Sequence, residues 1–347
     1  MSMIPTRELL PAPGNCSFSL SDWNVLAQHW YPVARVVDIE DKPIAATLLD
    51  VPLVIFRTAQ GISVARDICP HRGVPLSMGW VEDGQLICPY HGLHFGADGR
   101  CTRIPAQPEL TKISARFSLL TFPTVERYGL LWTSLHSLEP KLPELPTWSN
   151  PAHQAILPPT VDIGGSSGRQ LEGFIDVAHF AWVHHEAFAD RNNPVVPSYD
   201  TTRTEYGLRT EYWSGVSNYP KHLQHLEPQG FRWLRIFDVY PPFSAVLTVH
   251  FPDDGVLQIL NAASPISARK TRLFVPMTRN FDQTGNLEDV YAFNAQIFAE
   301  DQAIVEAQRP EELPLDPLFE AHFQADRSST TYRKILAEMG LGRQQTS

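Results

Sequence analysis

Cys69-Pro70-His71-Arg72-Gly73 and Cys88-Pro89-Tyr90-His91-Gly92 are the two segments from which the fold can be read. Each pairs one cysteine with one histidine, a single residue apart in the first and two apart in the second. Sixteen residues separate His71 from Cys88. Proline and glycine bend both segments into loops. Two thiolates and two imidazoles in two short loops suit a pair of irons bridged by sulfide, with both thiolates on one iron and both imidazoles on the other. Imidazole donates less charge than thiolate, so such a cluster has a raised potential, roughly −150 to +300 mV. It can take electrons from a flavin or a ferredoxin and pass them on. The competing reading is a structural zinc site of two Cys and two His. Zinc fingers group like ligands, Cys with Cys and His with His, whereas each loop here is mixed.

Working outward, the chain of 347 residues is long enough for two domains with their own cores. It is 43% hydrophobic and 19% charged, an ordinary globular mix. A net charge of −10 argues against nucleic acid as a partner. No run approaches 18 apolar residues, so no membrane span is expected. Met1 to Pro13 lacks the basic-then-apolar pattern of a signal peptide. Of four cysteines, Cys16 and Cys101 lie outside the loops, too few for a disulfide framework. A cytoplasmic location is the expectation.

Residues 1–20 read as a poorly structured arm. Ser21-Asp22 is positioned to cap a helix running to about Trp30, stapled by Leu20. Strand-like runs rich in Val and Ile follow at Pro32–Ile39, Pro43–Leu49, Pro52–Arg57 and Ser63–Arg66. Gly84 to Ile87 leads into the second loop, and His94-Phe95 leaves it. Residues 21–140 are thus expected to form an all-β unit with the cluster at one end. Six prolines between Pro140 and Pro159 predict a linker over 141–160. From 161 to 347 the pattern predicts helices around an antiparallel sheet. Gln170–Phe188 is helical, and strands are expected at Leu208–Trp213, Phe231–Val239, Ser244–Phe251, Val256–Ala263 and Thr271–Met277. A second helix runs from Glu288 to about Gln308. The fold class is α+β.

The helical segment Leu171-Glu172-Gly173-Phe174-Ile175-Asp176-Val177-Ala178-His179-Phe180-Ala181-Trp182-Val183-His184 sets ionisable groups in apolar sequence. Such groups must be paired or bound. Asp176 and His179 share a helix face. His179 and His184 lie about 140° apart on a regular helix, so both reach one metal only if the helix distorts or ends between them. The late helix carries an apolar stripe through Val290, Phe293, Ile297 and Ile304, and Glu300 and Asp301 both border it. Two histidines and one carboxylate make the facial triad of non-haem Fe(II). Spacing leaves open which acid completes it, and whether these groups are instead satisfied core histidines and solvated acids.

From about Trp30 to Pro310 the chain resembles the oxygenase component of the Rieske non-haem iron oxygenases, phthalate/vanillate-demethylase branch. The cysteine–histidine loops carry the first part of the resemblance. The second part is an Asp-x2-His-x4-His motif on Asp176, His179 and His184, with a Glu-Asp-x4-Glu-x-Gln stretch from Glu300-Asp301 through Glu306 and Gln308. The resemblance implies a [2Fe-2S] cluster on Cys69, His71, Cys88 and His91. It also implies a mononuclear Fe(II) on His179, His184 and Asp301, choosing Asp301 over Glu300 and His184 over His185. Two positions depart from the family pattern: Gly173 stands where Asn is usual, and Leu93 where Trp is usual.

The same resemblance implies O2 as co-substrate and a homotrimer in which one subunit's cluster faces the next subunit's iron, with Asp176 bridging His179 to His91 of that neighbour. No Gly-x-Gly-x-x-Gly opens a helix, so NAD(P)H must be consumed by a separate flavin/iron–sulfur reductase, with or without a ferredoxin. Arg72, Trp80 and Tyr90 are candidates for docking it. Phe180, Trp182, Phe188, Phe231 and Trp233 are candidate walls of a pocket for a small aromatic or heterocyclic substrate. Arg232, Arg235, Arg272 and Arg279 are candidate partners for a substrate carboxylate. Hydroxylation and O- or N-demethylation use the same iron chemistry. A Rieske electron carrier without oxygen chemistry is the alternative, holding about two irons per chain rather than about three.

Overall fold

The computed structural model describes residues 10–342, so the first nine residues of the expected N-terminal arm lie outside the described residues. The chain forms two compact units that divide between Lys141 and Leu142.

The first unit opens with α1 (Leu20–Leu26), capped by Ser19, whose Oγ accepts from the Asp22 amide. The cap thus falls on Ser19 rather than Ser21, and the helix ends four residues short of Trp30. Residues just before it are fastened rather than loose: Ser17 donates to Asp50 through its amide (2.8 Å) and its hydroxyl (2.7 Å). Local pattern cannot register a partner 33 residues away.

Eleven short strands follow: β1 (Tyr31–Arg35), β2 (Ile44–Leu48), β3 (Val51–Thr58), β4 (Gly61–Arg66), β5 (Trp80–Glu82), β6 (Gln85–Ile87), β7 (His94–Phe95), β8 (Cys101–Arg103), β9 (Thr121–Phe122), β10 (Thr124–Arg127) and β11 (Leu130–Thr133). They make three antiparallel sheets, ordered β1-β11-β10, β2-β3-β4-β9 and β5-β6-β7-β8. The run expected as strand to Ile39 stops at Arg35 and becomes a single 3₁₀ turn. Val54, Phe56, Leu76, Leu86, Leu93 and Phe95 pack one core, and Cys69 and Cys88 are rooted in it.

The second unit contains β12 (Gln154–Ile156), β13 (Val161–Ile163), α2 (Ser167–Ile175), α3 (Phe180–Val183), β14 (Asp200–Arg203), β15 (Leu208–Ser214), β16 (Trp233–Tyr240), β17 (Ser244–His250), β18 (Val256–Ser267), β19 (Lys270–Phe274), β20 (Met277–Arg279), α4 (Leu287–Ala307) and α5 (Arg327–Glu338). All nine strands join one antiparallel sheet, whose main path runs β12-β20-β18-β17-β16-β15-β14, with β13 pairing β19 and β19 pairing β18. The stretch expected as a linker contributes β12, whose Gln154–Ile156 pairs with Arg279–Met277. A three-residue strand between prolines leaves no periodicity to read.

Alternation in β16 buries Trp233, Arg235, Phe237 and Val239 on one face. α2 lies across that face: Ser167 Oγ is 2.9 Å from Thr271 Oγ1 on β19, and Phe174 packs edge-on against Phe237 on β16 at 6.0 Å. A buried ion network ties α2 to α5. Arg333 donates to Glu172 at 2.5 and 2.7 Å and to Glu320 at 2.6 Å, and Arg169 donates to Glu320 at 2.7 Å. Among the described residues no helix is long and apolar enough to cross a membrane.

Candidate metal centres

The two cysteine–histidine loops are built alike. The Cys69 amide donates to Val74 O and the Gly73 amide to Cys69 O; two short strands later the Cys88 amide donates to Leu93 O and the Gly92 amide to Cys88 O, all between 2.8 and 3.0 Å. Gly73 and Gly92 take φ of +76° and +66°, the left-handed region where a side chain is strained. Asp67 fixes the chain after the first loop, accepting from the Ser77 amide at 2.8 Å and its hydroxyl at 2.5 Å. At Gly79 a Cβ would lie 2.0 Å from Ile87 O, so only glycine lets this turn approach the strand that leads into Cys88.

This framework buries both sulfurs and turns both imidazoles outward. Cys69 and Cys88 are buried, while His71 is half-buried and His91 exposed. The two imidazole rings lie 4.5 Å apart. Burial pushes the Cys69 thiol up to about 11, against the lowering effect of the His71 amide and with Cys88 adding to the rise. His71 is held below its usual range by burial and then by the charges of His91 and Arg72, which favours the neutral form able to ligate a metal. Its Nδ1 is buried without a hydrogen-bond partner. Two neighbouring buried thiols, with amides directed at one of them, and an orphaned imidazole nitrogen fit a sulfur-bridged iron pair. Leu93, the departure from the usual Trp, is buried in the same core.

In the second unit α2 ends at Asp176, whose backbone is extended (φ −76°, ψ 135°). The chain then restarts as α3, with His179 as its N-cap. His179 and His184 bracket this single helical turn, one at each end. His179 Nε2 and His184 Nε2 are 3.0 Å apart, and Asp301 Oδ1 from α4 lies 3.1 Å from His184 Nε2 and 3.5 Å from His179 Nε2. Three mutually cis ligand atoms at about 2.1 Å from one ion stand about 3.0 Å from each other, so the triangle fits a single metal. Among the described residues it is the one set of three or more His, Cys, Asp or Glu so placed.

The carboxylate that spacing left as an alternative has a different place. Glu300 Oε2 lies 2.7 Å from His184 Nδ1, and its Oε1 accepts from Gln296 at 2.9 Å. Glu300 therefore orients the buried His184 ring. Burial works against a proton on His184, but Asp301 and then Glu300 outweigh it and raise its pKa above the ordinary value. Asp176 stands 3.5 Å from His179 Nδ1 and accepts from the Ala178 amide at 2.7 Å. Burial opposes its ionisation, yet His179 and the amides lower its pKa. Gly173 leaves open space here: a Cβ would meet only Val305, at 3.9 Å. His185 points elsewhere, toward Trp182 O and Glu186.

Of the aromatic candidates, Phe180 and Phe188 border the triad. Phe188 stacks on His184 at 5.1 Å, and Phe180 packs on Phe188 at 5.5 Å. Phe231 and Trp233 belong instead to an aromatic cluster with Tyr219 and Phe251. Trp182 is 57% exposed and lines a groove of about 700 Å³ with Asp176, His179, Val196 and Phe323. Arg232 is exposed, Arg272 is paired with Asp162, and Arg279 with Asp282. Arg235 is fully buried, donates to Ser214, Val216, Ser217 and Asn218, and sits 5.4 Å over Phe180.

A cluster-binding β unit followed by an iron-triad unit defines the class: an iron–sulfur-dependent oxygenase. Residues 29–122 match the Rieske [2Fe-2S] domain, and residues 166–341 match the vanillate O-demethylase oxygenase C-terminal domain. The chain belongs to the Rieske non-haem iron oxygenases, as their oxygenase component, with a [2Fe-2S] cluster and a mononuclear iron as cofactors. It is similar to the methylxanthine N1-demethylase NdmA of Pseudomonas putida, 29% identical over 90% of this chain and 89% of that one. A toluene-4-sulfonate monooxygenase iron–sulfur subunit, TsaM2 of Comamonas testosteroni, described as putative, is 30% identical over 81% of this chain and 87% of its own. The solved structure of NdmA from P. putida CBB5 with caffeine superposes with a TM-score of 0.81 at 27% identity, covering 92% of each chain.

Proposed function

We propose that this oxygenase removes a methyl group from nitrogen or oxygen on a small heteroaromatic or aromatic ring. The balance is substrate–CH3 plus O2, two electrons and two protons, giving demethylated substrate, formaldehyde and water. The relatives bearing demethylase names, for methylxanthines and for vanillate, support the reaction type. The observation that carries the reading is the triangle of His179, His184 and Asp301 beside Phe180 and Phe188.

In this reading Cys69 and Cys88 hold one cluster iron and His71 and His91 the other, while His179, His184 and Asp301 hold the mononuclear iron. When bound, the cluster supplies electrons singly and the mononuclear iron supplies a redox-active centre with open positions. The protein's own groups do the rest. Glu300 fixes the His184 tautomer by accepting from Nδ1, so that Nε2 faces Asp301; Asp176 does the same for His179. Phe180 and Phe188 keep water from the ring faces of the ligands. The groove floored by Asp176 is rimmed by exposed Trp182 and Phe323, and exposed Met78, Trp80 and Tyr90 lie close in sequence to the cluster histidines. We read these as the two halves of a head-to-tail contact that closes into a trimer, with Asp176 of one copy meeting His91 of the next. A separate NAD(P)H reductase feeds the cluster, and cysteines that form no disulfide are consistent with a cytoplasmic enzyme.

The test is oxygen uptake with NADH and a surrogate reductase across N-methylated heterocycles and methoxylated aromatic acids. Formaldehyde released in equal amount to the oxygen consumed is expected. A ring diol formed without formaldehyde, or no uptake by iron-loaded protein on any of them, contradicts the proposal.

A further inference from the structure

The sheet face that α2 crosses carries a carboxamide with no partner. In register across the sheet, Phe237 pairs with Leu247 and Leu247 with Ile259. Asn261 lies two residues beyond Ile259 on β18, opposite Ala245, and so shares their face. That face looks toward α2 and toward α3, which His179 and His184 bracket, since Phe237 meets Phe174 of α2 and Arg235 meets Phe180 of α3. Asn261 is 1% exposed, yet neither its Nδ2 nor its Oδ1 has a hydrogen-bond partner. Its neighbours Ala245 and Ala263 are small and leave the amide room.

A second carboxamide faces the same interior. Gln170 lies three residues after Ser167 and four before Phe174, both of which touch the sheet, so it occupies the same stripe of α2. It is 3% exposed and its Oε1 is unpartnered. Buried side-chain amides in folded proteins are almost always satisfied, because an unmade hydrogen bond leaves the desolvation penalty uncompensated. Two such groups between one sheet and the helix that ends at Asp176 point to a ligand that completes them. The cations nearby do not compete for it. Arg235 spends its donors on Ser214 and the 216–218 backbone and side chain, and Arg272 and Arg279 are paired with acids.

Building on the demethylase reading above, we infer that Asn261 and Gln170 determine specificity by receiving the polar edge of a neutral heterocycle, a ring carbonyl beside a ring nitrogen, rather than a carboxylate. A carboxamide offers one acceptor and two donors and so can match both halves of such an edge. A carboxylate has no donor for the Asn and Gln oxygens, which would stay unpaired, and Arg235, Arg272 and Arg279 are already engaged and would not balance its charge.

Calorimetry on the cluster- and iron-loaded protein tests this with three probes: theophylline, which has the amide edge; 1-methylindole, its apolar counterpart; and 4-methoxybenzoate, the anion. Asn261→Leu and Gln170→Leu are each expected to weaken theophylline about tenfold, to leave 1-methylindole unchanged or tighter, and to hold or raise the probe-free melting temperature. Theophylline affinity unaltered by both substitutions, a markedly lowered melting temperature in both variants, failure of the wild type to bind theophylline, or its preference for 4-methoxybenzoate overturns the inference. The two readings fail separately. Formaldehyde from 4-methoxybenzoate but not theophylline sinks this one and keeps the demethylase. Theophylline binding as expected without oxygen consumption on any substrate does the reverse.

Discussion

Removing the Glu300 carboxylate should loosen the mononuclear iron without touching a ligand. His184 is 2% exposed, and its Nδ1 has Glu300 Oε2 at 2.7 Å as its partner. Glu300→Leu leaves that N–H buried and unsatisfied, a penalty of about 1–3 kcal/mol. It also frees the ring to rotate its Nε2 away from Asp301. Together these predict a loss of roughly 10–100-fold in iron affinity, the range found when a partner of a ligating imidazole is removed. Glu300→Gln keeps an acceptor at the same reach but gives up its charge, about 1 kcal/mol, or roughly fivefold. Anaerobic competition with a ferrous chelator measures both variants, and visible absorbance of the cluster, which sits in the other unit, serves as the internal control. If Glu300→Leu held iron as tightly as wild type while His184→Ala lost it, the orienting role would be wrong.

Three further outcomes follow from other contacts. Asp176→Asn should retain both metals but cut turnover severely, since His179 stays ligated while its charged acceptor is lost; unchanged product formation would remove Asp176 from the electron path. Because Asp301 and Glu300 raise the His184 pKa above its unfolded value, the iron-free protein gains stability from this group that is full below about pH 6.5 and fades as pH rises through the raised value. Iron competes with that proton, so metal affinity should fall as pH drops through the same value; chelator competition against pH, beside denaturation of the iron-free form, checks both signs. Arg333→Met leaves the largely buried Glu172 with only Arg169, 3.7 Å away, and should cost about 3 kcal/mol by chemical denaturation, part of it recovered when Glu172→Leu is added.

The cluster loops were legible because the four proposed ligands fall within 23 residues and their spacing needs no tertiary knowledge. The α+β class was equally legible, because β15 and β16 alternate cleanly and α2 and α4 have helical patterns. The triad was half legible. His179 and His184 are five apart, so both can reach one metal only if the helix distorts or ends between them; in the structure α2 ends at Asp176, before both, and the single helical turn α3 starts after His179 and ends at His184. Nothing in that spacing shows which of two adjacent acids 116 and more residues away turns inward. Glu300 and Asp301 point about 100° apart on α4, and both meet the same imidazole, one at each nitrogen. Asn261 and Gln170 left a faint signal, a lone amide inside a buried run such as Leu260-Asn261-Ala262. It becomes informative only once the fold shows that neither is satisfied. β12 was hidden among prolines, since its pairing with β20 spans more than 120 residues.

The central claim is that one chain holds a sulfide-bridged iron pair and a separate catalytic iron on His179, His184 and Asp301. Iron analysis of the anaerobically purified protein tests it most directly. About three irons per chain are expected, falling to about two in Asp301→Ala, with the cluster spectrum intact and oxygen consumption abolished. About two irons in the wild type, or an Asp301→Ala variant that keeps its third iron and its turnover, would contradict the account.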